Sequence, residues 1–246
     1  MTLAYTFFPT ATTLATDSLA RIRAYDRDDA VEDSGKITDA LQHMNYVITS
    51  WQAHGLQVWC RKVSSALTMV SSQGSYTMGA SGANFTLNRP LRIMQAWIRK
   101  TSDNSDIPLE IITQEKYYSF TNKTTEGTPV ALYYDAAYDG EANEGTNSMG
   151  TAYLWPEPSS TIATDYRLYI VYQRPFLDYV ATTDILDMPQ EWYNAVRLNV
   201  ALAMAPEYGM PALEYDRLRR EAMEALDLAL GNDTEYGSVF IYPESQ

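Results

Sequence analysis

The sequence predicts an α+β protein: a helical bundle built from the N- and C-terminal segments, with an inserted antiparallel β-sandwich or small barrel. Three observations carry this. From Ala195 to Ala205 only Arg197 and Asn199 interrupt an apolar run, so that helix has too little polar face for a surface and needs burial on most sides. A second helical stripe, Ile37, Leu41, Met44, Ile48 and Trp51, lies near the other end of the chain. Between them stand short apolar runs split by Gly, Pro, Asn, Asp and Ser, the pattern of an all-β region. The expected boundaries are 1–55 and 185–231 for the helical domain, 56–184 for the β insertion and 232–246 for an extended arm.

After a loose start, Thr13 to Tyr25 reads as a short helix, with Leu14, Leu19 and Ile22 near one face and Thr16 or Asp17 near its beginning. The acidic stretch Asp26 to Asp33 is a polar connector. The second helix runs from about Lys36 to His54, and Gly55 is placed to stop it.

At Leu56 the period changes from helical to alternating, with Leu56, Val58 and Cys60 on one side. Leu67, Met69 and Tyr76 continue in short runs. Leu91 to Lys100 gives a strand and Ile107 to Thr113 its hairpin partner, with T-S-D-N-S-D as turn chemistry between them. Gln114 to Phe120 reads as a helical turn. Val130 to Tyr134, Ala152 to Trp155 and Tyr166 to Tyr172 complete the strands, and the acidic, Gly-rich gap Tyr138 to Gly150 reads as an exposed, mobile loop.

Helical character returns at Pro189 with the buried helix. Asp187 and Gln190 suit a capping-box start and Pro189 an early helical position. Pro206 ends the buried helix and Gly209 offers a left-handed exit. Trp51, Leu198 and Leu202 are expected to share one core. Pro211 opens a last helix, ended by Gly231, with Leu213, Leu218, Ala222, Leu226 and Ala229 near one face and arginines and glutamates on the other. The arm that follows holds Val239, Phe240, Ile241 and Tyr242. That segment is apolar and of high β-propensity, so in water it calls for a partner.

Composition narrows the function. A formal charge of −13 argues against gripping nucleic acid by its phosphates. It leaves room for DNA to slide past without sticking. A lone cysteine, Cys60, rules out an internal disulfide and a multi-cysteine metal site, and its apolar setting marks a buried structural thiol. No apolar run reaches membrane-spanning length and the N-terminus lacks the basic region of a secretory signal. No membrane partner and no cofactor are expected.

No catalytic motif stands out. His43 and His54 lie eleven positions apart on one helix, about 16 Å at ~1.5 Å per residue, too far to share a metal. Both read as solvated positions. Gly74 to Gly82 lacks the Lys-Ser/Thr of a phosphate loop and reads as a flexible turn. Asp135, Asp139, Glu141 and Glu157 lie near Tyr133, Tyr134, Tyr153 and Trp155. Acids beside aromatic rings are the ingredients of a glycan-binding or glycan-cleaving site, which is the rival functional class. The plainer reading of this group is strand ends and a solvated loop. Nineteen tyrosines lean instead towards interfaces.

Three stretches carry a family resemblance. One is A-L-Q-H-M-N-Y-V-I-T-S-W-Q-A-H-G-L-Q-V-W. The second is R-P-L-R-I, P-L-E-I-I-T-Q-E-K-Y, G-T-P-V-A-L-Y-Y-D and Y-L-W-P-E-P, in that order. The third is M-P-Q-E-W-Y-N-A-V with L-A-M-A-P-E-Y-G. Together they span about Lys36 to Gly209, and in this order the chain resembles head-to-tail adaptors of short-tailed bacteriophages, the head-completion, DNA-stabilisation or tail tubular A-type proteins. The resemblance implies a structural virion protein of the neck, not an enzyme, synthesised in the bacterial host cytoplasm. It implies a ring of twelve copies that joins the portal to the tail tube or nozzle, closes the DNA-filled head and forms part of the ejection channel. The helical part would make the ring. Val239, Phe240, Ile241 and Tyr242 would then contact the portal or a neighbouring subunit. A tail-fibre or capsid-decoration module is the third functional reading, a pure binding role.

Overall fold

The computed structural model describes residues 8–25, 34–53, 60–79, 82–136, 149–176 and 185–232. The chain divides into two compact units, Met1–Trp59 with Phe176–Gln246, and Cys60–Pro175.

The first unit is helical. Helix α1 (Ala11–Arg21) starts at Thr10, whose hydroxyl accepts from the Thr13 amide at 3.2 Å. The sequence points instead to Thr16 or Asp17. Thr10 wins because the apolar face already begins at Ala11, which is fully buried, so the cap must precede it. The helix closes with Arg23 in the left-handed region, φ 60°. Helix α2 spans Ser34–Ala53 and buries Ile37, Leu41, Met44 and Ile48 along one side. Gly55 lies outside the described residues.

The buried helix has a different start from the capping box. A 3₁₀ turn, Gln190–Trp192, leads into a later α-helix (Tyr193–Met204) whose N-terminal flank makes no side-chain cap. The Gln190 side-chain nitrogen is buried and finds no hydrogen-bond partner. Trp192 is buried and packs on Trp51, ring centroids 5.5 Å apart, so apolar anchoring sets the start. The exit follows the sequence: Gly209 has φ 65° and the Met210 amide donates to Ala205 O. The last helix spans Ala212–Asn232. It runs through Gly231, where a β-carbon would meet nothing within 4 Å, because an exposed glycine costs a helix only about 1 kcal/mol.

Tyr193–Met204 lies against α1, α2 and Ala212–Asn232, and Ala195, Val196, Leu198, Val200, Ala201 and Met204 are all buried. Its two polar residues are accommodated. Asn199 Nδ2 donates to Ala222 O at 3.2 Å, and the buried Ser18 hydroxyl lies 3.0 Å from Arg197 O.

The second unit is built on a sheet. Its strands are β1 (Arg61–Val63), β2 (Leu67–Thr68), β3 (Ser75–Gly79), β4 (Phe85–Thr86), β5 (Arg92–Lys100), β6 (Asp106–Ile111), β7 (Glu126–Gly127), β8 (Ala131–Asp135), β9 (Gly150–Trp155), β10 (Glu157–Pro158) and β11 (Tyr166–Gln173). Nine of them form one curled sheet, a half-barrel, in the order β1-β11-β5-β6-β8-β9-β3-β4 with β2 beside β11, and β7 pairs β10. Two short helices interrupt them, α3 (Gln114–Ser119) and α4 (Ser160–Asp165); the two helices of the first unit described above are α5 (Tyr193–Met204) and α6 (Ala212–Asn232).

The expected antiparallel sheet is corrected to a mixed one: β6–β8, β3–β4 and β7–β10 are parallel. The reason is the connection. After β6 the chain passes through α3 and β7 before β8, a crossover that lets β8 enter in the direction of β6. The β5–β6 hairpin is antiparallel as read, with Asn104 at φ 58° in its turn and Arg99 bidentate on Asp106 at 2.6 and 2.7 Å. The stretch read as a flexible turn, Gly74 onward, is largely strand β3, and a β-carbon on Gly74 would press on Glu157. One sheet face is buried over Tyr76, Met78, Ile98, Leu132, Leu154 and Ile170. At the ends of the unit the Arg174 amide donates to Cys60 O at 2.9 Å, and β1 and β11 run side by side.

Candidate functional site

Chemistry is sparse. Among the described residues no three His, Cys, Asp or Glu side chains converge on a point that would hold a metal. Cys60 is buried and forms no disulfide. His43 departs from a solvated position: it is half-buried, its Nε2 lies 3.2 Å from Glu207 Oε1, and its ring meets Tyr46 edge-on. Helix α2 turns this face towards the segment after α5, which the helical period alone does not reveal. His54 lies outside the described residues. No helix among those residues is long and apolar enough to cross a membrane.

The aromatic residues near the acids do assemble. On β8 and β9 the register sets Ala131 opposite Trp155, Tyr133 opposite Tyr153, and Asp135 opposite Thr151. Alternation puts these pairs on one face, while Leu132 and Leu154 enter the core. The Tyr133 and Tyr153 rings stack at 5.5 Å, Tyr117 of α3 lies 5.6 Å from Tyr133, and Phe120 stacks on Trp155 at 4.0 Å. Lys123 Nζ stands 5.7 Å from the Tyr117 ring and 5.5 Å from the Tyr118 ring. Burial, then the neighbouring charges, raises the phenols of Tyr117, Tyr133 and Tyr153 above the ordinary tyrosine range. The ring faces on which a sugar would stack are largely taken by other rings; Tyr118 alone is broadly exposed. Asp139 and Glu141 lie outside the described residues, as does most of the gap Tyr138 to Gly150. Sequence reasoning found Tyr133, Tyr153 and Trp155 but missed Tyr117, Tyr118 and Phe120, which join them only through the packing of α3 on β8.

On the other side of the same strands, Tyr134 is half-buried and its hydroxyl donates to Pro90 O at 2.6 Å. Burial pushes its phenol up to about 12.

In the helical unit, Leu198 is buried, and Leu202 and Trp51 are half-buried against the same cluster. Helix α6 shows two sides. Leu218, Ala222, Ala225 and Ala229 face the core, whereas Leu213, Met223, Leu228 and Leu230 are exposed. Leu213 therefore leaves the apolar face to which the sequence assigns it: five positions before Leu218, it lies about 140° round the helix from it, and Tyr215 packs on the core instead. Arg21 from α1 and Arg217 both bind Glu221, and Arg23 Nη2 lies 3.5 Å from Glu214 Oε1. The Arg21 guanidinium above all, with Arg217, holds the Glu221 carboxyl below the ordinary glutamate range. Arg21, Arg23, Glu214 and Arg217, with Met210 and Leu218, line a cavity of about 160 Å³. Val239, Phe240, Ile241 and Tyr242 lie outside the described residues.

The sequence matches a family model described as SU10 adaptor protein over residues 9–239 of the 246. No curated protein matches it.

Proposed function

The chain belongs to the SU10 adaptor protein family, phage adaptor structural proteins, and on that footing we propose that it forms the ring between portal and tail. Twelve copies sit below the portal, close the DNA-filled head and receive the tail tube or nozzle. The ring lines part of the path by which DNA leaves. The protein acts in the virion neck after synthesis in the host cytoplasm, and its role is structural.

The observation that carries this reading is the extent of the family match, which takes in both compact units. Charge supports it. Of the chain's charged residues, the helical unit holds twenty acidic against eight basic, and the β unit eleven against ten. A channel walled by the acidic unit repels a duplex within a Debye length of about 8 Å at physiological salt, so DNA passes without specific binding. Trp51, Leu198 and Leu202 serve the ring-forming unit as core.

The arm carries the portal contact. Residues Val239, Phe240, Ile241 and Tyr242 add a strand to a partner's sheet, and Pro243 ends the pairing. The partner is the portal; a neighbouring subunit is the rival.

Purified protein mixed with the portal of the same phage should give rings of portal symmetry by electron microscopy. Deleting Ser238 to Gln246 should leave the melting temperature unchanged and abolish co-sedimentation with the portal. A wild-type protein that stays monomeric and ignores the portal sinks the reading. Portal binding that survives the deletion sinks the arm's role only.

A further inference from the structure

The helical unit carries a large excess of acid, so two copies repel unless they meet where charge is balanced and something apolar can be covered. Helix α6 comes nearer to this than the rest of the unit: it carries Arg217, Arg219 and Arg220 against Glu214, Asp216, Glu221, Glu224 and Asp227, three basic to five acidic, where the remainder of the unit has five to fifteen. Arg219 has no partner within its own chain among the described residues, while Arg217 is bound to Glu221. The same helix exposes Leu213 (82%), Leu228 (73%), Met223 and Leu230. No other described helix of the unit shows more than one large apolar side chain to water.

We propose that the outer face of α6 is a contact between copies of this chain, with Leu213, Met223, Leu228 and Leu230 seated against a second copy and Arg219 meeting that copy's acidic side chains. The proposal rests on the adaptor reading, to which it adds the surface. Exposed leucine and methionine beside unpaired arginine fit the composition of interface centres, where Met and Arg are enriched. Basic residues of α6 meeting acids elsewhere on the neighbour make the contact heterologous, the kind that closes rings. The helix is about 31 Å long at ~1.5 Å per residue and about 10 Å wide. It thus supplies part of the ~800 Å² per partner that a stable contact buries, and forms its centre.

The test uses the full chain with Leu213→Glu and Leu228→Glu together, and separately Arg219→Glu. All three side chains are exposed, so the monomer's melting temperature stays at the wild-type value. Sedimentation velocity, with and without the portal of the same phage, should show assembly shifted to at least about tenfold higher protein concentration, the loss of a central contact. Rings that form as readily as wild type overturn the proposal. So does a fall in monomer melting that accounts for the lost assembly, since α6 is then covered by its own chain. If wild type makes rings and the variants do too, only this surface is wrong. If wild type makes none, the adaptor reading itself fails, and this proposal with it.

Discussion

The Tyr134 phenol lies over Gly150, filling the space that a β-carbon there would occupy. Strand β8 delivers the tyrosine and the neighbouring strand β9 begins at the glycine. The ring is held from its far end by the bond from its hydroxyl to Pro90 O, so it cannot swing aside. Gly150→Ala should therefore destabilise the β unit by about 1–3 kcal/mol, the usual cost of overfilling a packed site. Urea unfolding of the two proteins checks this, and an unchanged midpoint would show that the ring moves freely.

Tyr134 also sets an alkaline limit. Its phenol is pushed up to about 12 in the folded protein by burial, from an ordinary value of 10.0. A raised value means that the folded state resists losing the proton. The stability it protects is complete below pH 10 and is lost as the pH rises towards 12. Wild type should lose stability over that window faster than Tyr134→Phe, which has no proton to lose there. Parallel losses in denaturant titrations from pH 9 to 11.5 would contradict the assignment.

At the acid end the arginines around Glu221 act in the opposite sense. A depressed carboxyl contributes stability that is present above the ordinary glutamate value of 4.5 and fades as the pH falls through the folded value. Glu221→Gln should melt below wild type at pH 7, and the two should converge as the pH drops below about 4. A gap that persists undiminished at pH 3 would mean that the glutamate's packing, not its charge, ties α1 to α6.

The helical core should respond in graded fashion. Leu198→Ala removes a buried side chain of α5 and should cost about 2–5 kcal/mol. Leu202→Ala, half-buried at the edge of the same cluster, should cost less. Equal losses would show that the edge is as tightly packed as the centre.

These elements differ in how far the sequence reveals them. The burial of α5 follows from Ala195 to Ala205, because a helix with two polar residues in eleven has nowhere to present a polar face. The strands follow from alternation, and the β5–β6 hairpin from its turn residues. Strand direction does not. Nothing local in Ala131 to Asp135 says that β8 runs with β6, since parallel pairing is decided by the path through α3. Helix starts fail for a similar reason: Trp192 anchors α5 by contact with Trp51, a pairing between residues far apart in the chain. The aromatic face was half legible, through Tyr133 and Tyr153; Tyr117 joins it only by tertiary packing. On α6 the charged residues masked the exposed leucines, because a helical face is read from its majority.

The hydrogen bond from the Arg174 amide to Cys60 O brings together two points separated by more than a hundred residues of chain. Once β1 and β11 pair, the helical segments on either side are joined by an effectively short link. The entropy of closing so long a loop is then met within the β unit, a saving of roughly 1–2 kcal/mol for the helices by the logarithmic dependence on loop length. The β unit thus works as a clasp, and its sequence can lengthen or change between those two strands with little cost to the pairing of α1 and α2 with α5 and α6.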